Sequence, residues 1–288
     1  MTDIGKSIRT RLLNLAKKEN LSFQLVIIRY MQERLLYRIA VSKYVDNLCL
    51  KGGVLLYIYS KEQTRPTRDI DFLGTKIPNE TESMKSAFRE ICSIHYPADA
   101  VAFDINSIVA EEIAGQNVYP GIRLFVDANL DTIRQRIQVD VGFGDIVVPA
   151  PVKLSYPTLL SGSVIPLVRA YSLETVIAEK FEAMIDLSVL NSRMKDFYDV
   201  YHILTTQQLD LKNLEEAINE IFRNRNTKFS ANHALFSADF PVDANRQRQW
   251  KAFLTRNHLD QSIGFPSVIY KIHSSLFPIW ERLSTQHR

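Results

Sequence analysis

The chain has 288 residues, of which 46% are hydrophobic and 23% are charged, a balance typical of soluble globular proteins. No apolar run approaches the roughly 18–20 residues that a membrane-spanning helix needs, so we expect a protein without membrane association. The formal net charge of +3 is too small to indicate nucleic-acid binding by itself. Cys49 and Cys92 lie in apolar contexts and are predicted to be reduced, buried thiols of a cytoplasmic protein.

Two helices are predicted first, followed by a mixed region. Helical spacing covers residues 6–19 and 22–41, and Ser22 is placed to cap the second helix. In the mixed region, a further helix is predicted near residues 79–93. Alternating apolar residues predict strands near residues 70–75, 100–110, 120–130 and 136–143.

A change of pattern divides the chain into two expected domains. Prolines at four positions between residues 146 and 171 break regular structure and indicate a crossing between domains. From Ser172 the spacing is helical almost to the end, with an interruption near residues 227–244. We therefore expect an α+β protein, with the N-terminal helices and core in residues 1–160 and a helical C-terminal lobe in residues 161–288.

Two aspartates separated by one residue form the most informative motif. Side chains alternate between the faces of a strand, so Asp69 and Asp71 are predicted to point the same way. Such a pair repels unless a cation lies between its members, and with Mg²⁺ it can hold a nucleoside triphosphate. Upstream, Gly52 and Gly53 allow the backbone to approach phosphate oxygens closely, because neither residue has a Cβ atom.

The last predicted strand of the core carries a third candidate carboxylate, Asp140. Aspartate is disfavoured in the middle of a strand, so its presence needs compensation. If this strand lies beside that of Asp69 and Asp71, Asp140 completes a metal-binding triad and helps to deprotonate an attacking hydroxyl. The alternative is a solvated sheet face on which Asp140 pairs with Arg123 or Arg136.

The C-terminal helices have charged residues on their apolar faces. Lys180 lies within the apolar sector of one predicted helix, where it must either extend to solvent or meet negative charge. A nucleotide phosphate would supply that charge. Arg193 and Asp196 lie within the apolar sector of the next helix, with Asp199 towards its polar edge. These residues can pair with each other, orient Lys180 or bind the nucleotide.

Two basic clusters lie further along the chain. They comprise Arg223, Arg225 and Lys228, and then Arg246, Arg248 and Lys251 beside Trp250. Solvated helix ends are one interpretation, and a track for the phosphates of a polynucleotide acceptor is the other.

Several motifs occur in an order and at separations similar to those of a known family. They are residues 33–38 (ERLLYR), 50–53 (LKGG), 65–71 (RPTRDID), 138–145 (QVDVGFGD), 174–183 (ETVIAEKFEA) and 192–199 (SRMKDFYD). In these motifs the chain resembles the AbiEii/AbiGii toxin family of nucleotidyltransferase-like proteins, within the polymerase-β-type nucleotidyltransferase superfamily. The resemblance covers nearly the whole chain. It implies a nucleotidyltransferase core, with a mixed sheet flanked by helices, and a helical second lobe.

The resemblance also implies an activity and its partners. It implies transfer of a nucleotide from a nucleoside triphosphate with Mg²⁺, for which Mn²⁺ can substitute. Such proteins are usually toxins of two-gene toxin–antitoxin modules, some act in abortive infection and phage defence, and some relatives add nucleotides to the 3′ end of tRNA. The expected partners are therefore a nucleoside triphosphate, an RNA acceptor such as tRNA, and a cognate antitoxin.

The matching positions imply roles for individual residues. Asp69 and Asp71 would be metal ligands, whereas the assignment of Asp140 as the third ligand is based on strand geometry. Lys180 would contact a phosphate, and Asp196 or Asp199 would complete the site from the second lobe. The candidate nucleotide-binding residues are Lys51, Gly52, Gly53, Arg68, Lys180, Arg193 and Asp199, and the candidate catalytic residues are Asp69, Asp71, Asp140, Lys180 and Asp196.

Two departures from the superfamily pattern affect the nucleotide site. Many members have Gly-Ser where this chain has Gly52 and Gly53, so no hydroxyl is available at residue 53 and nucleotide affinity is expected to be lower. The interval before Asp69 is longer, and residues 61–66 are predicted to form a loop at the mouth of the cleft. Two other functions stay open: a phosphotransferase that moves the γ-phosphate, and a binding module that kept the fold without catalysis.

Overall fold

The computed structural model describes residues 4–60, 65–113, 121–188, 191–230 and 232–286. The chain divides into two compact units. The first comprises Met1–Gly144 and Val152–Ala170, and the second comprises Asp145–Pro151 and Tyr171–Arg288. The boundary expected after residue 160 falls within the first unit.

The first unit combines helices with a sheet. Its helices are α1 (Ile4–Lys18), α2 (Phe23–Ala40), α3 (Gly52–Tyr59) and α4 (Thr81–Cys92). Its strands are β1 (Leu48–Lys51), β2 (Asp69–Gly74), β3 (Val101–Ile113), β4 (Gly121–Leu130), β5 (Ile133–Gly142), β6 (Val152–Ser155) and β7 (Leu167–Ala170). The α+β fold class predicted from the sequence is therefore confirmed.

The strands form one mixed sheet in the order β3-β4-β5-β2-β1-β7-β6. The pairs β2–β5 and β1–β7 are parallel, and the other neighbouring pairs are antiparallel. Apolar residues of the central strands, such as Ile70 and Val139, are fully buried. Since side chains alternate along a strand, the polar residues between them occupy the opposite face of the sheet.

Helix α2 is buried on nearly all sides. Its first turn is capped by the Ser22 side chain, which accepts a hydrogen bond from Leu25 N at 3.2 Å, as the sequence predicted. Because the helix is enclosed, its charged residues need internal partners. Arg38 pairs with the buried Asp99 and donates a 2.9 Å hydrogen bond to the carbonyl oxygen of Val101. The pair joins α2 to the start of β3.

Some short elements in the described part of the first unit were not expected from the sequence. They are β1, α3, β6 and β7, of which the last two lie in the proline-containing segment that was predicted to lack regular structure. Each of these strands has four residues, too few for alternation to be recognisable. Gly52 and Gly53 are the first two residues of α3.

The second unit is helical. It contains α5 (Leu173–Leu187), α6 (Met194–Thr206), α7 (Leu211–Asn224), α8 (Ala244–Arg256) and α9 (Phe265–Gln286). Large aromatic side chains fill its core, and the ring centroid of Phe181 lies 5.6 Å from that of Phe222 and 5.9 Å from that of Trp280. Among the residues that the structure describes, no helix is long and apolar enough to cross a membrane.

Candidate active site

Three carboxylates meet on one face of the sheet in the first unit. The parallel pairing of β2 and β5 sets Asp71 opposite Asp140, and Asp69 opposite Gln138. One carboxylate oxygen from each of Asp69, Asp71 and Asp140 lies within 4.8 Å of the other two. All three residues are half-buried, so their charges repel one another more strongly than they would in open solvent.

This carboxylate cluster fits a small divalent cation. Mg²⁺ and Mn²⁺ prefer oxygen ligands, and the cluster offers one oxygen from each of three residues. The backbone also comes close to it, because a Cβ atom built on Gly52 would lie 2.0 Å from Oδ2 of Asp71. Only a residue without a side chain leaves that carboxylate in place.

Asp140 also has partners within the sheet. Arg123 on β4 donates from Nε to Oδ1 at 2.9 Å and from its terminal nitrogen to Oδ2 at 2.7 Å. Gln138 Nε2 lies 3.1 and 3.2 Å from the same two oxygens. Of the two arginines considered from the sequence, Arg123 is the partner, whereas Arg136 lies over the ring of Phe125 at 4.5 Å. The ion pair and the carboxylate cluster are therefore present together.

The first turn of α3 supplies backbone amides beside the cluster. Lys51 occupies the N-cap position and makes no side-chain capping hydrogen bond, and Lys51 is the register partner of Asp71. The amides of Gly52 and Gly53 lie in this first turn. Free amide groups and the helix dipole favour an anion at such a position.

Two residues that the sequence analysis did not single out adjoin Gly53. A Cβ atom at Gly53 would lie 3.0 Å from Oγ1 of Thr67 and 3.3 Å from a terminal nitrogen of Arg65. Thr67 Oγ1 also donates a 2.7 Å hydrogen bond to Oδ1 of Asp69. A hydroxyl therefore lies beside residue 53, although the residue itself has none. Thr67 and Arg65 lie two and four residues before Asp69, and this proximity in the sequence is the signal that could have identified them.

The remaining candidates of the first unit are less enclosed. Arg68 directly precedes β2 and is exposed. Residues 61–64 of the loop expected at the cleft lie outside the described residues.

A second charged cluster lies in the helical unit, where α5 and α6 pack together. Lys180 Nζ is 2.7 Å from Oδ1 of Asp196 and 2.9 Å from Oδ2 of Asp199. The Lys180 side chain is 13% exposed, and each aspartate side chain is 2% exposed. Arg193 Nε lies 2.9 Å from the other oxygen of Asp196. The negative charge that Lys180 was expected to need is thus supplied by the protein itself.

The charges of this cluster outweigh the effect of burial on Asp196. Burial alone would raise the pKa of its carboxyl group, but the adjacent charges of Lys180 and Arg193 hold the pKa below its usual value. Asp196 is therefore ionised at neutral pH, and the cluster of Lys180, Arg193, Asp196 and Asp199 is a network of paired charges.

The basic clusters contain residues with structural roles. Arg225 lies within 3.3 Å of oxygens from three carboxylates, those of Asp145, Glu179 and Glu182. Arg246 lies over the ring of Phe240 at 4.1 Å. Trp250 is buried and donates a 2.7 Å hydrogen bond to the carbonyl oxygen of Ile263. The polar groups of Arg225 and Trp250 therefore have protein partners, and the track for polynucleotide phosphates stays an untested interpretation.

Comparisons with known proteins agree with the family that the motifs indicate. The chain matches the family model "Nucleotidyl transferase AbiEii toxin, Type IV TA system" over residues 34–268. Two solved structures are similar to it: JHP933 from Helicobacter pylori, with 17% identity and a TM-score of 0.48 over 92% of this chain and 96% of that chain, and "putative nucleotidyltransferase from H. pylori", with 16% identity and a TM-score of 0.47 over 93% and 100%. No curated protein matches. The chain belongs to the AbiEii nucleotidyl transferase toxin family.

Proposed function

We propose that this toxin-family protein is a Mg²⁺-dependent enzyme that transfers a nucleoside monophosphate from a nucleoside triphosphate to an acceptor hydroxyl. The observation that carries the proposal is the cluster of Asp69, Asp71 and Asp140, in which one carboxylate oxygen of each residue lies within 4.8 Å of those of the other two. Such a cluster beside the amides of a helix N-terminus suits a metal-bound triphosphate.

Each side chain of the cluster has a role in this proposal. Asp69 and Asp71 would hold the metal, and bound Mg²⁺ or Mn²⁺ would neutralise charge on the reacting phosphate. The hydroxyl of Thr67 holds Asp69 in place through its 2.7 Å hydrogen bond. The amides of Gly52 and Gly53 would bind phosphate oxygens, with Lys51 as a further positive charge. Catalysis of this kind is mainly positioning and charge neutralisation.

Asp140 would act on the acceptor. Arg123 and Gln138 already make four contacts with its two oxygens, and an ionised carboxylate has about four lone-pair sites, so the acceptor hydroxyl would replace the longer contacts of Gln138 at 3.1 and 3.2 Å. We propose that it orients the attacking hydroxyl and helps to accept its proton. Pyrophosphate would be the leaving group.

We propose that the charged cluster of the second unit binds phosphate. Lys180 and Arg193 would meet phosphate oxygens, and Asp196 and Asp199 would hold these two cations in place. Support for this comes from the motifs that carry these residues and from the burial of Lys180, Asp196 and Asp199, because paired buried charges are costly to maintain without a function.

The acceptor and the cellular setting are proposed from the family. The AbiEii family is described as the toxin of a type IV toxin–antitoxin system, which implies a cognate antitoxin. We propose that the acceptor is RNA, specifically the 3′ end of tRNA. We also propose that the protein is cytoplasmic and acts in abortive infection as a defence against phage.

The direct test is to incubate the purified protein with total RNA and Mg²⁺ and each of the four α-labelled triphosphates in turn. Label should enter RNA from at least one triphosphate, and Asp69→Asn should abolish the transfer. The matched control is Asp127→Asn, since Asp127 also lies on the sheet but pairs with Arg134 at 2.6 Å. Labelling from the γ-position instead would identify a phosphotransferase. Calorimetry that detects no binding of Mg²⁺ and triphosphate would identify a non-catalytic module.

A further inference from the structure

Four charged residues form a row across the sheet. Arg123 on β4 is the register partner of Asp140 on β5, Asp140 is the partner of Asp71 on β2, and Asp71 is the partner of Lys51 on β1. Register partners on neighbouring strands point to the same face of a sheet. The row therefore reads positive, negative, negative, positive, with the two carboxylates between the two cations.

Arg123 pairs with its neighbour in this row, Asp140, in a fixed geometry. It contacts both oxygens of Asp140, at 2.9 and 2.7 Å, the parallel arrangement that gives the strongest arginine–carboxylate pairs. The side chain of Asp140 is 15% exposed and that of Arg123 is 34% exposed, so solvent screens the pair only in part. A guanidinium stays charged at every physiological pH.

This positive charge lies where it competes with a metal ion. Asp69, Asp71 and Asp140 contribute three negative charges, and Arg123 and Lys51 contribute two positive charges, which leaves one net negative charge for an incoming cation. A free divalent ion would therefore be held weakly. A metal that arrives bound to a triphosphate also gains the contacts of its phosphates with the amides of α3.

We propose that Arg123 is a built-in counter-ion of the carboxylate cluster, which keeps the cluster free of a resident divalent cation until the metal enters with the nucleotide. Arg123 is a positioning residue in this role, because it acts through Asp140. The inference rests on the proposed function, since it concerns the same metal site.

The test is a titration of the purified protein with Mn²⁺, in which the signal of free Mn²⁺ is followed by electron paramagnetic resonance. Without nucleotide, the wild-type protein should bind Mn²⁺ weakly, and Arg123→Met should bind it at least about tenfold more tightly, because a repelling charge within a few ångströms has been removed. Arg123→Lys retains the charge and should bind as weakly as the wild type. Non-transferable α,β-methylene analogues of the four triphosphates should be added to the wild type in turn. At least one of them should make the wild type bind Mn²⁺ tightly.

The matched control is Arg134→Met, which removes a guanidinium bound at 2.6 Å to Asp127, elsewhere on the same sheet. This variant should keep the wild-type affinity for Mn²⁺. Tight Mn²⁺ binding by the wild type without nucleotide would overturn the inference, and so would equal or weaker binding by a folded Arg123→Met protein. If Mn²⁺ binds neither protein, with or without the analogues, the metal site of the proposed function fails and the role of Arg123 fails with it.

Discussion

Gly52 lies directly against Asp71, because a Cβ atom at position 52 would be 2.0 Å from the Oδ2 atom of that carboxylate. The backbone of Gly52 also has a φ angle of +70°, a conformation that disfavours any residue with a side chain. We expect Gly52→Ala to destabilise the protein by about 1–3 kcal/mol and to displace Asp71. Urea unfolding measures the first effect, and Mn²⁺ binding in the presence of a triphosphate analogue measures the second.

Gly162 provides the control for Gly52. It has a φ angle of +83°, but a Cβ atom at this position would meet nothing within 4 Å. Gly162→Ala should therefore show the cost of the backbone conformation alone, with unchanged Mn²⁺ and nucleotide binding. If the two variants lose metal binding equally, the contact between Gly52 and Asp71 does not determine the site.

Removal of Lys180 should lower the stability of the fold as well as the rate of the proposed transfer. Lys180→Met would leave Asp196 and Asp199 buried and short of a positive partner, which costs about 3–5 kcal/mol for buried ion pairs. Lys180→Arg keeps the charge and should lose much less stability. Lys195 is exposed on the same helix as Asp196, so Lys195→Met should change the free energy of unfolding by less than about 0.5 kcal/mol. Urea unfolding measures the stability of the three variants. A loss for Lys180→Met no larger than that for Lys195→Met would show that the fold does not need the charge of Lys180.

Arg225 should matter for stability, since it neutralises the carboxylates of Asp145, Glu179 and Glu182. Arg225→Gln is expected to lower the free energy of unfolding by about 3 kcal/mol, because the buried carboxyl group of Glu182 would lose its cationic partner. Arg248 is exposed and serves as the control. Arg248→Gln should unfold at the wild-type temperature in a thermal scan, and equal effects of the two substitutions would contradict the structural role of Arg225.

Glu33 should make the stability depend on pH in the weakly acidic range. Burial raises the pKa of its carboxyl group to about 6, against the charge of Arg34 and the 2.7 Å hydrogen bond from Leu159 N. The folded protein therefore keeps a proton that the unfolded chain has released, so stability falls as the pH rises from about 4.5 through about 6. The decrease amounts to about 2 kcal/mol.

The comparison for Glu33 is Glu33→Gln, which keeps the shape of the side chain and cannot ionise. Urea unfolding at several pH values between 4.5 and 7 should show a smaller decrease for this variant than for the wild type. Identical pH profiles for the two proteins would show that Glu33 titrates alike in the folded and unfolded chains.

The sequence by itself determined the local patterns of this protein. Alternation along β5 put Asp140 on the polar face of its strand, and the spacing of Asp69 and Asp71 put both carboxylates on one side of β2. Ser22 marked a helix start because capping depends on residues within one turn. Such features are encoded over a few neighbouring residues, so a single sequence contains them.

Only the tertiary structure decided which of these residues meet. The parallel pairing of β2 with β5 joins segments about 70 residues apart, and with it come the partners of Asp140 on the neighbouring strand. The sequence left Arg123 and Arg136 equally available to Asp140, and it did not indicate that Thr67 lies beside Gly53. Strand register and helix packing are fixed by burial of the whole core rather than by local spacing, which is why the partner of each charge could be seen only in the fold.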